Sequence, residues 1–211
     1  MHQPLQMISA DRAIGVPARA RETLFMEGEP CRSVLELRRG LVRAVKFSSE
    51  GERQVMALFF PGDVLGLPLA QEHRFTAEAV SDVLYARQSS LEWQTGLSVC
   101  NSPGVDSPLR AIWQEEKAFM DRGLILGRGG IMARLAAFLG YVVRRLPIQN
   151  EVYDFSLPQG DIASYLATSP ETVCRLMRQL RERKIIAMAR KDKLEILDAQ
   201  WLDRLAAGES V

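Results

Sequence analysis

Four glycines at intervals of about 11 residues divide the first third of the chain into short segments. They are Gly28, Gly40, Gly51 and Gly62. Glycine adopts the positive φ angles of tight turns more readily than any other residue. The intervening segments are apolar and short, a spacing typical of hairpins in a β-sandwich or barrel. The sequence therefore predicts a β-rich region from Thr23 to about Arg87.

A long amphipathic helix is predicted after this region, because apolar residues recur every three or four positions from Leu109 onward. Three glycines at positions 127 to 130 predict that the helix ends or bends there. Its apolar stripe requires a partner, either the same helix of a second copy in a coiled-coil-like dimer or the protein's own β-rich region. With Glu116 as an interruption, the predicted dimerisation residues are Leu109, Ile112, Trp113, Phe119, Met120 and Leu124.

Two helical stretches joined by a short turn follow from Gln159, and they have the form of a helix-turn-helix. Ser169 is a natural N-cap for the second helix, and Pro170 suits its first position. The segment IIAMARKDKLEILD then alternates in polarity around a charged turn, which predicts a two-stranded wing.

Positive charge is concentrated in this region, although the whole chain carries a net charge of only +1. Between residues 171 and 193, eight lysines and arginines face three acidic residues. Such a patch suits an anionic partner, and a solvated helix face is the alternative.

Glu171 and Arg175 are four residues apart near the amino end of the second helix, so both lie on one face. In a major groove, arginine donates two hydrogen bonds to guanine, and a carboxylate accepts from the cytosine amino group. We therefore expect the pair to read bases, unless it is an intrahelical salt bridge worth only about 0.2 to 0.5 kcal/mol. The expected DNA-backbone contacts are Gln159, Ser169, Thr172, Arg178, Arg181, Lys191 and Lys193.

Residues for metal or acid–base chemistry are scarce. The chain has three cysteines, Cys31, Cys100 and Cys174, and two histidines, His2 and His73, all far apart in sequence. This set is too small for a four-thiolate iron–sulfur cluster, a structural zinc site or a histidine-based catalytic triad. The sequence also contains no secretory signal and no membrane-spanning run. We expect a cytoplasmic protein that is not an enzyme.

The segments DIASYLATSPETVCRL and ERKIIAMARKDKLEILD resemble the winged helix-turn-helix of the CRP/FNR transcription regulators. GRGGIMARLAAFL is similar to the junction between that family's dimerisation helix and its DNA-binding domain. LFMEGEPCRSVLELRRGLVRAV, GERQVMALFFPGDVLGL and HRFTAEAVSD resemble its cyclic-nucleotide-binding-like β-roll, especially in the FixK branch. The resemblance covers the chain from about Glu22 to Leu202.

This resemblance implies an α+β fold with three parts. Residues 1–107 would form a cyclic-nucleotide-binding-like β-roll, residues 108–128 a dimerisation helix, and residues 129–211 a winged helix-turn-helix. The implied protein is a homodimeric regulator that binds double-stranded DNA and RNA polymerase and controls genes of low-oxygen or nitrogen-oxide respiration. A ligand- or haem-sensing regulator that requires an effector is the alternative, and an interaction protein without DNA binding is a third.

Glu171 and Arg175 occupy the family's two base-reading positions. Pro170 stands where the cyclic AMP receptor protein has an arginine, which implies a TTGAT-N4-ATCAA palindrome rather than TGTGA half-sites. Cys174 stands among the base-facing residues where FNR-like members have serine. Because Arg175 and Arg178 neighbour it, its thiol is also a candidate for redox control, with a small packed residue as the alternative. Ala167 replaces a usual turn glycine and would be strained at positive φ.

The resemblance implies no cofactor. The family's phosphate cradle is a Gly-Glu pair followed later by adjacent Arg-Ser or Arg-Thr, whereas here Gly66 precedes Leu67, and Phe75 separates Arg74 from Thr76. We therefore expect neither cyclic AMP nor cyclic GMP to bind. The cysteine group that holds the iron–sulfur cluster of FNR is absent. Some relatives bind a haem, and His73 would be the candidate ligand here, but we expect His73 to be a surface residue.

Overall fold

The computed structural model describes residues 15–93, 108–146, 148–149, 152–190 and 192–209. Its first half is a β-roll of two four-stranded antiparallel sheets, with strand orders β1-β8-β3-β6 and β2-β7-β4-β5. The strands are β1 Val16–Ala18, β2 Thr23–Phe25, β3 Ser33–Arg39, β4 Val42–Phe47, β5 Arg53–Phe59, β6 Val64–Leu65, β7 Thr76–Ala79 and β8 Val83–Ser89.

The evenly spaced glycines lie in turns between these strands, but only Gly51 closes a hairpin, between β4 and β5, as the spacing predicted. The other three lie where the chain crosses from one sheet to the other. Gly28, Gly40, Gly51 and Gly62 have φ angles of 84°, 89°, 80° and 91°. At Gly40 a Cβ atom would lie 2.4 Å from the Asp82 carbonyl oxygen, so no larger residue fits there without a shift of the backbone. These turns fold the strands over a core whose fully buried members include Leu37, Val42, Ala57, Phe59 and Leu65.

Helix α1, Pro108–Leu126, has two distinct faces. One face lies on the β-roll and buries Ala111, Glu115 and Ala118, whereas Ile125 near its end is buried in a core formed mainly by the second half of the chain. The other is exposed, and its large apolar side chains are Leu109, Trp113, Met120 and Leu124, with exposed fractions of 70%, 57%, 54% and 68%.

Two residues of the predicted dimerisation stripe do not belong to the exposed face. Phe119 packs on the β-roll core with its ring centroid 6.3 Å from that of Phe59, and Ile112 packs on a small cluster around Trp93. The helical periodicity explains this outcome, because positions three residues apart are offset by about 60° around a helix axis. The stripe is therefore narrower than the sequence pattern indicates.

The second half follows a break at residues 127–130, where the three glycines were expected to end the helix. Its four-stranded sheet has the order β11-β12-β10-β9, so the predicted two-stranded wing is extended by two further strands. The elements are α2 Ile131–Val143, β9 Ile148–Gln149, β10 Val152–Asp154, α3 Gln159–Tyr165, α4 Pro170–Glu182, β11 Ile186–Arg190, β12 Lys193–Ile196 and α5 Ala199–Ala207.

Candidate nucleic-acid interface

Helices α3 and α4 form the predicted helix-turn-helix, and Ser169 begins the second helix. The Ser169 hydroxyl accepts a hydrogen bond from the Thr172 backbone N–H at 3.2 Å. Pro170 occupies the first turn, where its missing N–H needs no intrahelical acceptor. Both local expectations are confirmed, and together they fix where α4 starts.

The turn between the helices contains a strained residue. Ala167 has a φ of 52°, in the left-handed region that glycine adopts without steric cost. The expected strain at this position is confirmed. The Thr168 N–H donates to the Ala163 carbonyl at 2.9 Å, a bond that closes the end of α3.

Helix α4 buries one face in the domain core and presents the other to solvent. The buried residues are Val173, Leu176, Met177 and Leu180. The exposed residues at matching helical spacing are Glu171, Cys174, Arg175, Arg178 and Arg181. Glu182 ends the same face, which therefore carries three arginines, two carboxylates and no large apolar residue. Such a face suits contact with DNA.

Glu171 and Arg175 are not joined to each other. Among the ion pairs of the described residues, none involves either side chain, so the salt-bridge alternative finds no support. The pKa of Glu171 is lowered, first by its own backbone N–H and then by the Ser169 hydroxyl, so the carboxylate is an ionised acceptor at neutral pH. An acceptor and a bidentate donor therefore stand side by side at the tip of α4.

The residues predicted to contact the DNA backbone differ in how exposed they are and in whether they already have a partner. Gln159 is exposed at the start of α3, and Thr172 is half-buried with its hydroxyl 3.1 Å from that of Ser169. Lys193 forms an ion pair of 3.2 Å with Asp154 across the wing, which leaves it only partly available to phosphate. Lys191 lies outside the described residues.

An ion cluster that the sequence did not reveal holds the rear of the helix-turn-helix against the β-roll. Asp161 of α3 pairs with Arg43 of β4 and, at 3.0 Å, with Arg53 of β5. Both arginines also pair with Glu78 of β7, at 2.8 and 2.9 Å. The Asp161 side chain is only 6% exposed. An acidic residue in the first turn of a helix is ordinary, so the pattern gave no signal of this partnership.

Helix α3 is also hydrogen-bonded to strand β5 and to helix α1. The Val55 N–H of β5 donates to the Ser164 hydroxyl at 2.9 Å. Arg122 of α1 donates to the Tyr165 carbonyl at 3.0 Å and to the Ser164 carbonyl at 3.4 Å. Helix α3 is thus held by the β-roll and by α1 together, which fixes the direction in which α4 points.

The environment of His73, the candidate haem ligand of the β-roll, differs from the expected one. His73 was predicted at the surface, but it is 7% exposed, because its ring stacks on Phe25 with centroids 3.8 Å apart. Its Nδ1 atom lies 3.4 Å from the Cys31 sulfur, and burial lowers its pKa. A run of consecutive polar residues around it, at positions 71 to 74, concealed this packing.

A backbone N–H and an arginine of the kind that could hold a phosphate converge in the β-roll, but on a carboxylate of the protein itself. The Leu67 N–H donates to Glu115 of α1 at 3.1 Å, and Arg74 lies 3.5 Å from the same carboxylate. Gly66, at a φ of 77°, makes the turn before Leu67. As these residues stand, they do not fit a free phosphate.

Two family descriptions match the sequence. Residues 16–92 match the cyclic nucleotide-binding domain, and residues 133–205 match the Crp-like helix-turn-helix domain. The helices of the described residues include none that is long and apolar enough to cross a membrane.

Similar proteins are regulators. The transcriptional activatory protein AadR of Rhodopseudomonas palustris is 31% identical, over 89% of this chain and 79% of AadR. The nitrogen fixation regulation protein FixK of Azorhizobium caulinodans is 29% identical, over 96% of this chain and 83% of FixK. The solved structure of FixK2 from Bradyrhizobium japonicum superposes with a TM-score of 0.84 at 29% identity, over 94% of this chain and 99% of FixK2.

Proposed function

The chain belongs to the CRP/FNR family of DNA-binding transcription regulators, and from this membership we propose that it binds a TTGAT-N4-ATCAA palindrome as a homodimer. The observation that carries the proposal is the exposed, unbridged pair of Glu171 and Arg175 at the tip of α4. Arg175 would donate to guanine O6 and N7, and Glu171 would accept from a cytosine amino group. Pro170, which offers no side-chain donor, favours TTGAT over TGTGA, and Cys174 would face the same bases.

The remaining DNA contacts would position the helix rather than read the sequence. Arg178 and Arg181 extend the exposed face of α4 toward the phosphates. Gln159, Ser169, Thr172, Lys191 and Lys193 would flank them. Each arginine or lysine that neutralises a phosphate releases counterions, so affinity should fall steeply as salt rises.

A second copy is the proposed partner of the exposed face of α1. Trp113, Met120 and Leu124 are spaced by seven and four residues, the repeat of a coiled-coil seam, and together with Leu109 and Glu116 they would meet their equivalents across a two-fold axis. Such an axis would place two α4 helices in successive major grooves about 34 Å apart.

The wider role follows by analogy with the relatives. We propose three functional regions, which are a β-roll at 1–107, a dimerisation helix at 108–128 and a DNA-binding domain at 129–211. By resemblance to the FixK branch, the proposed targets are genes of low-oxygen or nitrogen-oxide respiration. RNA polymerase would be the second partner, in the cytoplasm, and binding rather than catalysis would be the activity.

The test is fluorescence anisotropy of the protein, without added effector, on TTGAT-N4-ATCAA and on the corresponding TGTGA duplex across a salt series. We expect tight, salt-sensitive binding to the first duplex and weak binding to the second. Equal weak binding to both would contradict the assignment of Glu171 and Arg175 and favour a regulator that requires an effector.

Cys174 is the proposed site of redox control, because its side chain is exposed on the DNA-facing side of α4. Hydrogen peroxide would convert the thiol to a sulfenic acid, with water as the other product, and would add bulk against the bases. Peroxide should therefore weaken DNA binding of the native protein but not of Cys174→Ser. Equal loss of binding in both proteins would sink this proposal.

A further inference from the structure

The β-roll matches the cyclic nucleotide-binding family, yet the groups best suited to an anion are already engaged. The Leu67 N–H and the Arg74 guanidinium are donors of the kind that bind phosphates and carboxylates. Both meet the carboxylate of Glu115, which is 2% exposed. We propose that Glu115 is an internal anion that joins α1 to the β-roll in place of an external anionic effector.

The site is built from two separate elements. Leu67 and Arg74 belong to the segment between β6 and β7, whereas Glu115 lies at the middle of α1. Arg74 also forms an ion pair of 2.5 Å with Glu116, the next residue of the helix. One arginine of the β-roll therefore contacts two consecutive carboxylates of α1, one buried and one half-exposed.

Stability alone does not account for a carboxylate in this position. Burial raises the pKa of Glu115 to about 7, despite the hydrogen bond from Leu67 and the nearby charge of Arg74. Replacement of a buried ionised group by an apolar side chain of similar size is often neutral or stabilising. The contact therefore suits a role in positioning α1, where specific geometry matters more than the stability of the fold.

Helix α1 connects Glu115 to the DNA-binding domain, so a movement of α1 would also move that domain. Arg122 lies seven residues after Glu115 and thus on the same helix face, and it donates to the carbonyl groups of Tyr165 and Ser164 at the end of α3. The opposite face of α1 carries Trp113 and Met120 of the proposed dimer seam. A shift of α1 at Glu115 would therefore move the helix-turn-helix and the seam together.

The experiment is chemical rescue of Glu115→Ala at pH 8, where the native carboxylate is ionised. We expect the variant to bind the TTGAT duplex about tenfold more weakly, since α1 loses its tether, and we expect sodium acetate to restore binding where sodium chloride of equal ionic strength does not. Glu115→Gln should also bind DNA more weakly, but acetate should not rescue it, because the amide fills the site. Glu27→Ala, which removes an exposed carboxylate paired with Lys46 at 2.8 Å, is the matched control and should bind as the native protein does.

The DNA-binding measurement rests on the proposed function, so a second measurement without DNA is needed. Calorimetry on Glu115→Ala tests the role of Glu115 even if the proposed DNA site is wrong. Acetate or inorganic phosphate should bind to this variant and not to the native protein or to Glu115→Gln. Should Glu115→Ala unfold, recovery of its thermal transition in acetate replaces the DNA readout. Native-like DNA binding by Glu115→Ala, or a loss that neither acetate nor phosphate reverses, would overturn the proposal.

Discussion

At the scale of single residues, the tip of α4 shows how much local chemistry the sequence carries. Ser169, Pro170 and the spacing of Glu171 and Arg175 predicted the start of the helix and its exposed donor and acceptor, because capping and helical periodicity depend on neighbouring residues only. His73 was wrongly predicted at the surface. Its environment depends on Phe25, which lies 48 residues earlier in the chain.

Arg175→Lys tests base reading at this scale. A lysine keeps the positive charge but cannot form the bidentate bond to guanine, so affinity for the TTGAT duplex should fall about 10- to 100-fold, with discrimination against changes of the contacted G·C pair reduced. Arg181→Lys, which keeps a charge near the phosphates, should change affinity by less than about threefold. Anisotropy titrations on both variants measure the difference, and equal effects would contradict base reading by Arg175.

Ala167→Gly tests the strained turn. Relief of the steric cost at a φ of 52° should outweigh the extra entropy of the unfolded chain and raise the free energy of unfolding by about 0.5 to 1 kcal/mol. Ala163→Gly, inside helix α3, should lower it by about 1 kcal/mol. Urea unfolding of both variants gives the comparison. A loss of stability in Ala167→Gly would show that the turn is not strained.

At the scale of secondary structure, the evenly spaced glycines predicted the turns, but only the turn at Gly51 closes a hairpin. The three- and four-residue spacing predicted α1. The faces of α1 were harder to assign, because Ile112 and Phe119 belong to an apolar stripe in sequence but pack on the β-roll. Glu115 appeared in the sequence as an ordinary polar residue of an amphipathic helix. Its burial depends on the segment between β6 and β7, which is distant in sequence.

Glu115 should make stability depend on pH. Its folded-state pKa of about 7 lies above the usual 4.5, so the folded state binds the proton more tightly than the unfolded state does. This contribution is fully present below about pH 4.5 and is lost as the pH rises to about 7. The free energy of unfolding of the native protein, relative to Glu115→Gln, should therefore fall by about 3 kcal/mol across this range. Chemical denaturation at pH 5 and pH 8 measures it, and an unchanged difference would contradict the buried ionisation.

At the scale of the whole molecule, the order of β-roll, long helix and helix-turn-helix could be predicted, since each part has its own sequence pattern. The contacts between these parts could not be predicted from the sequence. Asp161, Arg43, Arg53 and Glu78 come from three strands and one helix, and no local spacing relates them. The same is true of Arg122, which reaches the end of α3 through backbone carbonyls that any sequence would supply.

Asp161→Asn should loosen the attachment of the DNA-binding domain. Removing the charge leaves Arg43, with a side chain 13% exposed, without one of its two carboxylates. Breaking a buried pair in this way should lower the free energy of unfolding by about 3 kcal/mol. Hydrogen exchange should also become faster at the Val55 amide, which is bonded to Ser164 of the same helix. The exposed Asp203→Asn is the control, and equal exchange in both variants would mean that the ion cluster does not hold the domains together.

In the proposed complex, a two-fold dimer places one α4 helix in each of two successive major grooves. The most direct test is affinity as a function of spacer length, with TTGAT-N4-ATCAA compared with the same half-sites separated by nine base pairs. The longer spacer turns one half-site by about half a helical turn, so we predict a loss of at least about 100-fold relative to the original palindrome. Equal affinity for the two duplexes would mean that each DNA-binding domain binds alone, and it would rule out the proposed two-fold arrangement.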